Sequence, residues 1–556
     1  MKKAAEIVEK AREAAVRAGD LPQGDAPAPA VEIPREASNG DFSCTFAMQA
    51  ARALRMPPRK IADALCAHLD LTATPFQSVE AAGPGFLNFH LAENWYEEVL
   101  RAVTAEGDDY GKSRADRPER VMVEFVSANP TGPMHMGNAR GGVIGDCVAS
   151  CLALSGHEVA REFLINDAGN QVDKFARSLN VRYIQLIRGE DAMEFPEDGY
   201  HGDDVKELAR MFYAIHGEAP LSMPEEQRLD LLSTFGLSQN IDRMKRDLAR
   251  YKISYDRWFS ESELHQSGYI AETMELLEKS GHTYEKDGAL WLRSTDFGCD
   301  KDDVLRRANG FYTYFAADIA YHRDKLDRRG FDRAINVWGA DHHGHVKRLQ
   351  SALDALGLDG SHRLEIILMQ LVRLTRDGEV VRMSKRTGKA ITLSDLLDEI
   401  PVDAARYFFN ARSPESQMEF DLGLAVRQDS ENPVYYVQYA GARIHSVLRN
   451  LADAGVRVDE QGGDLSLLSS PSERTLVKTL ALLPGEIRAA AESRDPSALD
   501  RYAETVAAAF HKFYTENRVM GAPEELVSPR AYLCRAAAIV LKNVLSAIGV
   551  DAPERM

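Results

Sequence analysis

Three short stretches gather the residue types that handle phosphate. "SANPTGPMHMGNARGG" (127–142) sets Asn129, Thr131, His135, Gly137 and Asn138 between an apolar run, "VMVEFV", and a helix-like stretch, "VIGDCVASCLALSG". A helix that starts there aims its free N–H groups and the positive end of its dipole outward, an arrangement that suits an anion. "GADHHGH" (339–345) follows the apolar "AINVW" and offers Gly339, Asp341, His342 and His345. "RMSKRTGK" (382–389) carries Arg382, Lys385, Arg386 and Lys389 with no acid among them, and its Ser, Thr and Gly content would let it close over an anion. Donors around a phosphorus, with cations to meet developing charge, are what nucleotidyl transfer needs. Each stretch has a plainer reading: a cap at His135, a metal cluster in "DHHGH", and a solvated face in the cationic run. No GxxxxGK[ST] or GxGxxG stretch is present, which excludes a P-loop and weakens a dehydrogenase reading.

Something must hold these stretches together. From residue 121 the sequence alternates short apolar runs with helical patterns, which predicts a parallel sheet covered by helices on both faces. The expected strands are "VMVEFV", "FYTYFAA" (311–317), "AINVW" (334–338) and "LEIILMQLVRL" (364–374), the last ending at a hairpin turn, "RDGE". Ligands of such sheets sit beyond the carboxyl ends of the strands, where all three stretches would converge. A helical, acid-rich segment over about 171–305 reads as an insertion between the halves of the sheet. Residues 1–115 read as a small α+β domain and 116–405 as the Rossmann-like α/β domain. Residues 406–556 read as an all-α domain, with helices such as "PVYYVQYAGARIHSVLRNLADAG".

The chain has 556 residues, 44% hydrophobic and 27% charged, with a formal net charge of −18. That length calls for more than one domain, and that charge argues against a body coated in basic residues for non-specific nucleic-acid binding. The start, "MKKAAEIVEKAREAAVRAG", has no apolar segment of signal-peptide type, and no run approaches the roughly 20 residues that span a bilayer. A cytoplasmic protein that does not enter a membrane is the expectation, acting as a monomer. Six cysteines without a CxxC pair read as buried thiols.

"HMGN" (135–138) resembles the HIGH signature of class I aminoacyl-tRNA synthetases, and "RMSKR" (382–386) resembles their KMSKS signature. Taken with "EFVSANPTGPMHMGNAR", "INDAGNQ", "VWGADHHG", "MSKRTGK" and "NPVYYVQYA", the sequence resembles the arginyl-tRNA synthetase family over nearly its whole length. The resemblance implies an arginine–tRNA ligase that uses ATP with Mg²⁺, L-arginine and tRNA(Arg), with adenylate formation dependent on the tRNA and no metal held by protein ligands alone. It places His135 and Lys385 in catalysis. ATP would be held by Thr131, His135, Gly137, Asn138, Gly339, Asp341, His342, His345, Met383, Ser384 and Lys385. Arginine would be held by Glu124, Ser127, Asn129, Tyr314 and Asp318; Glu124 and Asp318, from two strands of one sheet, would grip the guanidinium together. The N-terminal domain would read the tRNA elbow through Asn39 and Phe42, and the helical domain the anticodon through Tyr439, Arg443 and Met556. Departures are Asn138 for the second histidine of HIGH, Arg382 and Arg386 at the ends of KMSKS, and Gly441 where the family commonly has histidine. The competing readings are a class I synthetase for another amino acid, a small nucleotidyltransferase, and a non-catalytic RNA-binding protein on the same fold.

Overall fold

The computed structural model describes every residue except Met1, Arg35, Asp377, Arg382 and 384–390. The chain groups into two compact units. The first comprises Met1–Glu106, Asn450–Ala481 and Phe513–Ala536; the second comprises Gly107–Arg449, Leu482–Lys512 and Ala537–Met556.

In the first unit, strands β1 (Val31–Glu32), β2 (Phe42–Cys44), β3 (Phe76–Ala82) and β4 (Phe86–Leu91) form an antiparallel sheet in the order β1-β2-β4-β3. Helices Lys2–Ala18, Phe46–Leu54 and Pro58–Ala67 bury Ala4, Val8, Ala11, Ala47, Ala50, Ile61 and Leu65 with it. Those positions recur every three or four residues, which is the stripe an amphipathic helix needs.

The second unit is built on a five-stranded sheet, all of it parallel. Its strands are β5 (Arg120–Glu124), β6 (Glu158–Ile165), β7 (Arg257–Ser260), β11 (Arg333–Gly339) and β12 (Leu364–Met369), in the order β12-β11-β5-β6-β7. Strands β8 (Thr283–Lys286), β9 (Ala289–Leu292) and β10 (Asp303–Arg306) form a separate antiparallel sheet. From β5 the sheet grows one way to β6 and β7 and the other way to β11 and β12. The chain therefore reverses direction between β5 and β11, and a crevice opens at their carboxyl ends. Both "SANPTGP" and "GADHHGH" leave the sheet at this point.

Four expectations about elements need correction. "FYTYFAA" forms no sheet strand: Thr313 caps the helix Tyr314–Arg323, its Oγ1 accepting from Ala316 N, and Tyr312 makes only an isolated bridge to Arg306. The alanines and Ile319 that follow are buried at helical spacing, and this packing overrides the aromatic run's β-preference. "LEIILMQLVRL" splits into β12 and β13 (Val372–Arg376), which belong to different sheets; β13 pairs with β14 (Glu379–Val380) and with β15 (Met418–Asp421). The cationic run thus follows a strand of this small sheet rather than of the central one. The 171–305 stretch is divided by β7, which returns to the central sheet. The chain beyond 402 is helical apart from β15.

One buried arginine ties distant parts of the second unit together. Arg406 donates to Asp146 Oδ2 at 2.6 Å, to the Tyr251 carbonyl at 3.0 Å and to the Ile548 carbonyl at 3.0–3.1 Å. Cys44, Cys147, Cys151 and Cys534 are buried, Cys66 and Cys299 half-buried, and all six are free thiols. Among the described residues no helix is long and apolar enough to cross a membrane.

Candidate functional site

The chain leaves β5 through a tight, strained turn. Val126 and Ser127 have φ of +69° and +40°, and Ser127 N donates to Phe125 O at 3.0 Å, closing a three-residue turn. A β-branched residue at positive φ costs on the order of 1–3 kcal/mol, a cost met most often at functional sites. What over-determines the turn is the Ser127 hydroxyl, which donates to Glu124 Oε1 at 2.9 Å and accepts from Leu164 N on β6 at 3.1 Å. Asn240 supports the next bend by donating to the Pro130 carbonyl at 2.9 Å.

The turn delivers the chain to the start of the helix Met136–Leu154, whose N-cap is His135. Asn138 Oδ1 accepts from His135 N at 3.0 Å, so the amide that replaces the second signature histidine has a structural task in setting the helix start. His135 and Gly137 are exposed, and the space a side chain would fill at Gly137 is open, leaving the backbone free for close approach. Arg140, one turn further in, is fully buried and donates to the carbonyls of Gln370, Ser413 and Ser416 at 2.8–3.0 Å. It fixes the helix against the segments that lead into β13 and β15.

Arg382, Ser384, Lys385, Arg386 and Lys389 lie outside the described residues. The segment that follows them is tied to the first signature: Met136 N donates to Ile391 O at 3.0 Å, Leu393 N donates to Met134 O at 2.9 Å, and His135 bridges Thr392. The segment before them is held by Val381 N donating to Leu374 O at 2.9 Å. Met383 is exposed. The segment Ile391–Leu393, some 250 positions away in sequence, thus lies beside the first signature.

An open cleft of about 1010 Å³ is lined by Ser127, Asn129, Thr131, His135, Asn138 and His342, together with Thr392, Asp395 and residues 200–204. Thr131 lines it although nearly buried. A second recess of about 580 Å³ lies against His135 and Met136, walled by Leu371, Val380, Val381 and Ile391. Gly339 ends β11 where any Cβ would collide with Asp341 Oδ1, and Asp341 and His342 beyond it are exposed. Among the described residues no group of His, Cys, Asp and Glu is arranged to hold a metal, so "DHHGH" is not a cluster. Its His345 instead turns to Asp318, Nε2 to Oδ2 at 3.0 Å.

Glu124, expected among the arginine contacts, ends β5. Glu124 is 5% exposed; Oε2 pairs with Lys325 Nζ at 2.5 Å and Oε1 accepts from Ser127, so both oxygens are engaged inside the protein. Asp318 lies on a helix rather than a strand, a turn beyond the exposed Tyr314, whose ring packs against Gly169. A second carboxyl that feels the charge of Asp318 is Glu261, which follows β7 directly. Burial first, then the charges of Asp318 and Asp167, push the Glu261 carboxyl up to about 7. The Asn166 amide lies 3.2 Å from its Oε2, and His265 Nε2 lies 3.8 Å from its Oε1. A carboxyl held neutral by burial and by neighbouring negative charge ionises more readily when a cation is near. Sequence reasoning missed Glu261 because it missed β7; the signal was an acid directly after the aromatic run "RWFS".

The surfaces expected to meet RNA fare unequally. Phe42 is 9% exposed and packs edge-on against Phe76 at 6.1 Å, so it belongs to the core of its domain and is not available to a nucleotide. Asn39 is exposed at the end of a short 3₁₀ turn, Ala37–Asn39. On the helix Pro433–Asp453, Tyr439 lies nearly parallel to Tyr435 at 6.1 Å, and the Arg443 guanidinium sits 5.0 Å above the Tyr439 ring. Tyr439 and Met556 are both exposed.

Three family models match the chain: the arginyl tRNA synthetase N terminal domain over residues 2–91, the class I (R) tRNA synthetase catalytic domain over 99–421, and the DALR anticodon binding domain over 437–556. An arginine–tRNA ligase of Acetivibrio thermocellus is 49% identical over 99% of this chain and 98% of its own length. An arginine–tRNA ligase of Caldanaerobacter subterraneus subsp. tengcongensis is 53% identical over 95% of this chain and 93% of its own. In fold, the Thermus thermophilus arginyl-tRNA synthetase superposes with a TM-score of 0.77 at 23% identity, covering 99% of this chain and 100% of that one.

Proposed function

The chain belongs to the class I arginyl-tRNA synthetases, activating L-arginine with ATP and transferring it to tRNA(Arg), and from that premise we propose which groups do the work. ATP lies across the start of the helix Met136–Leu154, its base in the apolar recess beside Met136 and its phosphates toward His135, Asn138 and the lysine run. The guanidinium of arginine lies between Asp318 and Glu261 beside Tyr314, and its carboxylate points to the α-phosphorus. In the first step a carboxylate oxygen bonds to that phosphorus, the bond to the β-phosphate oxygen breaks, and pyrophosphate leaves. In the second, a hydroxyl of the terminal ribose of the tRNA attacks the carbonyl carbon and AMP leaves. The chain's contribution is to position these groups, worth roughly 7–11 kcal/mol, with fixed donors for the growing charge. Mg²⁺ would be held chiefly by the phosphates and would neutralise part of their charge. The stacked Tyr435, Tyr439 and Arg443 suit unpaired anticodon bases, and Asn39 and Met556 are further contacts for the tRNA. We read the chain as a cytoplasmic monomer.

What carries the arginine subsite is that Asp318, on its helix beside Tyr314, and Glu261, directly after β7, are carboxyls whose charges act on each other. Pyrophosphate exchange with each of twenty amino acids, with and without tRNA(Arg), tests it. Exchange is expected with arginine alone among them and only when the tRNA is present. Asp318→Asn or Glu261→Gln leaves the cation half-paired, a loss of about 2–5 kcal/mol. That corresponds to roughly 30- to 3,000-fold in kcat/KM for arginine, with ATP affinity nearly constant. Near-normal arginine kinetics in both variants would refute the subsite.

A further inference from the structure

One turn into the helix that begins at His135 sits a cation whose charge no carboxylate offsets. Arg140 is fully buried. Its Nη1 donates to the carbonyls of Gln370 at 2.8 Å and Ser416 at 3.0 Å, and its Nη2 to that of Ser413 at 2.9 Å. Among the described residues its Nε has no partner and no acid pairs with it, and burial lowers the guanidinium to about 10. A buried charge met only by neutral groups costs stability, so stability does not account for this arginine.

Its three acceptors belong to the two crossings that enter the small sheet. Gln370 lies between β12 and β13, and 413–416 is the turn just before β15. Ser416 N donates to Ser413 O at 3.0 Å to close that turn, the two serine hydroxyls lie 2.8 Å apart, and Gln370 N donates to Pro414 O at 3.0 Å. From there β13 and β15 run parallel, with Val372 beside Met418. A planar fork of donors reaches both crossings at once, which an apolar side chain could not do. The same crossings wall the recess of about 580 Å³ beside His135 and Met136, Gln370 and Leu371 from one and Gln417 and Met418 from the other. Leu371 and Val380 in its lining are 84% and 48% exposed, apolar surface that a flat base would cover.

We propose that Arg140 is a positioning residue for the nucleotide: by clamping the entries of β13 and β15 to the helix that begins at His135, it sets the width of the recess and so the fit of the adenine base. This rests on the placement of ATP argued above. Arg140→Met is expected to raise KM for ATP about tenfold or more while KM for arginine stays within about twofold. Arg140→Lys, which keeps three donors, is expected to recover most of the ATP constant. A merely structural role would lower thermal stability and leave the ratio of the two KM values alone. A folded Arg140→Met protein with an unchanged ratio overturns the proposal. Should that variant fail to fold, the wild-type protein decides through amide hydrogen exchange at Gln370 and Ser416. Exchange there is expected to slow about fivefold or more with ATP, and to be unmoved by arginine or by inorganic tripolyphosphate, which has no base. Exchange that ATP leaves unchanged, or that tripolyphosphate slows equally, overturns the proposal as well. Val380→Trp crowds the recess from β14 without touching the clamp. If it raises KM for ATP and Arg140→Met does not, only the role of Arg140 fails. If it leaves KM for ATP unchanged, the base lies elsewhere and the proposal falls with that placement.

Discussion

Glu261 shows how burial and neighbouring charge hold strain at one residue. Its carboxyl titrates at about 7 in the fold against an ordinary 4.5, because it is buried beside Asp318 and Asp167. A carboxyl whose folded pKa lies above its unfolded one penalises folding as pH rises past 4.5, and the penalty is complete above about 7. At about 1.4 kcal/mol per pKa unit the full penalty is roughly 3 kcal/mol. Glu261→Gln is therefore expected to melt higher than wild type at pH 8 and equally at pH 4.5, as thermal denaturation at the two pH values would reveal. Arginine binding needs the carboxylate, so KM for arginine in the wild type should rise by up to about tenfold per unit as pH falls below 7. A flat arginine KM between pH 6 and 8 would remove Glu261 from the subsite. His345 belongs to the same account: it already partners Asp318, and an arriving guanidinium has to share that carboxylate with it or displace it.

At the scale of elements, the start of the helix Met136–Leu154 is where local sequence and ligand chemistry coincide. Asn138 closes the helix start on the His135 N–H. Asn138→Ala removes that acceptor, and caps of this kind are worth roughly 0.5–2 kcal/mol. A lower thermal midpoint with a rise of a few-fold in KM for ATP, and none in KM for arginine, is the expected outcome of steady-state kinetics. Equal changes in both constants would mean that the cap supports the whole sheet rather than the nucleotide. This helix, the strand before it and the "DHHGH" turn were legible from apolar runs followed by polar turns. The strand expected at 311–317 was not, because an aromatic run carries the same composition whether Thr313 caps a helix or a strand continues. Strands β6 and β7 were missed for a related reason: "EVAREFLI" and "RWFS" mix charge with apolar residues, and only their neighbours in the sheet fix them as strands.

Across the second unit, Arg406 is the joint that local reading could not have found. It binds the signature helix at Asp146, the end of the helix Glu225–Arg250 at Tyr251 and the C-terminal segment at Ile548, and Gly549 follows with φ of +69° where any Cβ would strike the guanidinium. Removing one partner of a buried ion pair costs about 3–5 kcal/mol. Arg406→Met is expected to lose about that much in chemical denaturation, with Asp146→Asn in the same chain recovering part of it. Denaturation midpoints within error of wild type would show the joint to be dispensable.

By itself the sequence determined the class of fold, because a parallel sheet needs runs of apolar residues, and it pointed to a phosphate-handling helix start, which needs particular residue types at fixed short spacings. It also determined the family, through words such as "NPVYYVQYA" spread along the chain. Which carboxylates face each other was decided only by tertiary structure. Glu124 sits in the strand expected of it and pairs with Lys325, two hundred positions away; Glu261 feels the charge of Asp318 because β7 enters the sheet two strands from β5. Phe42 likewise, a tRNA contact by resemblance, proves to be buried against Phe76. Short spacings are written in local sequence, but the partner of a buried charge and the exposure of a ring depend on where distant segments return, and only the folded chain fixes that.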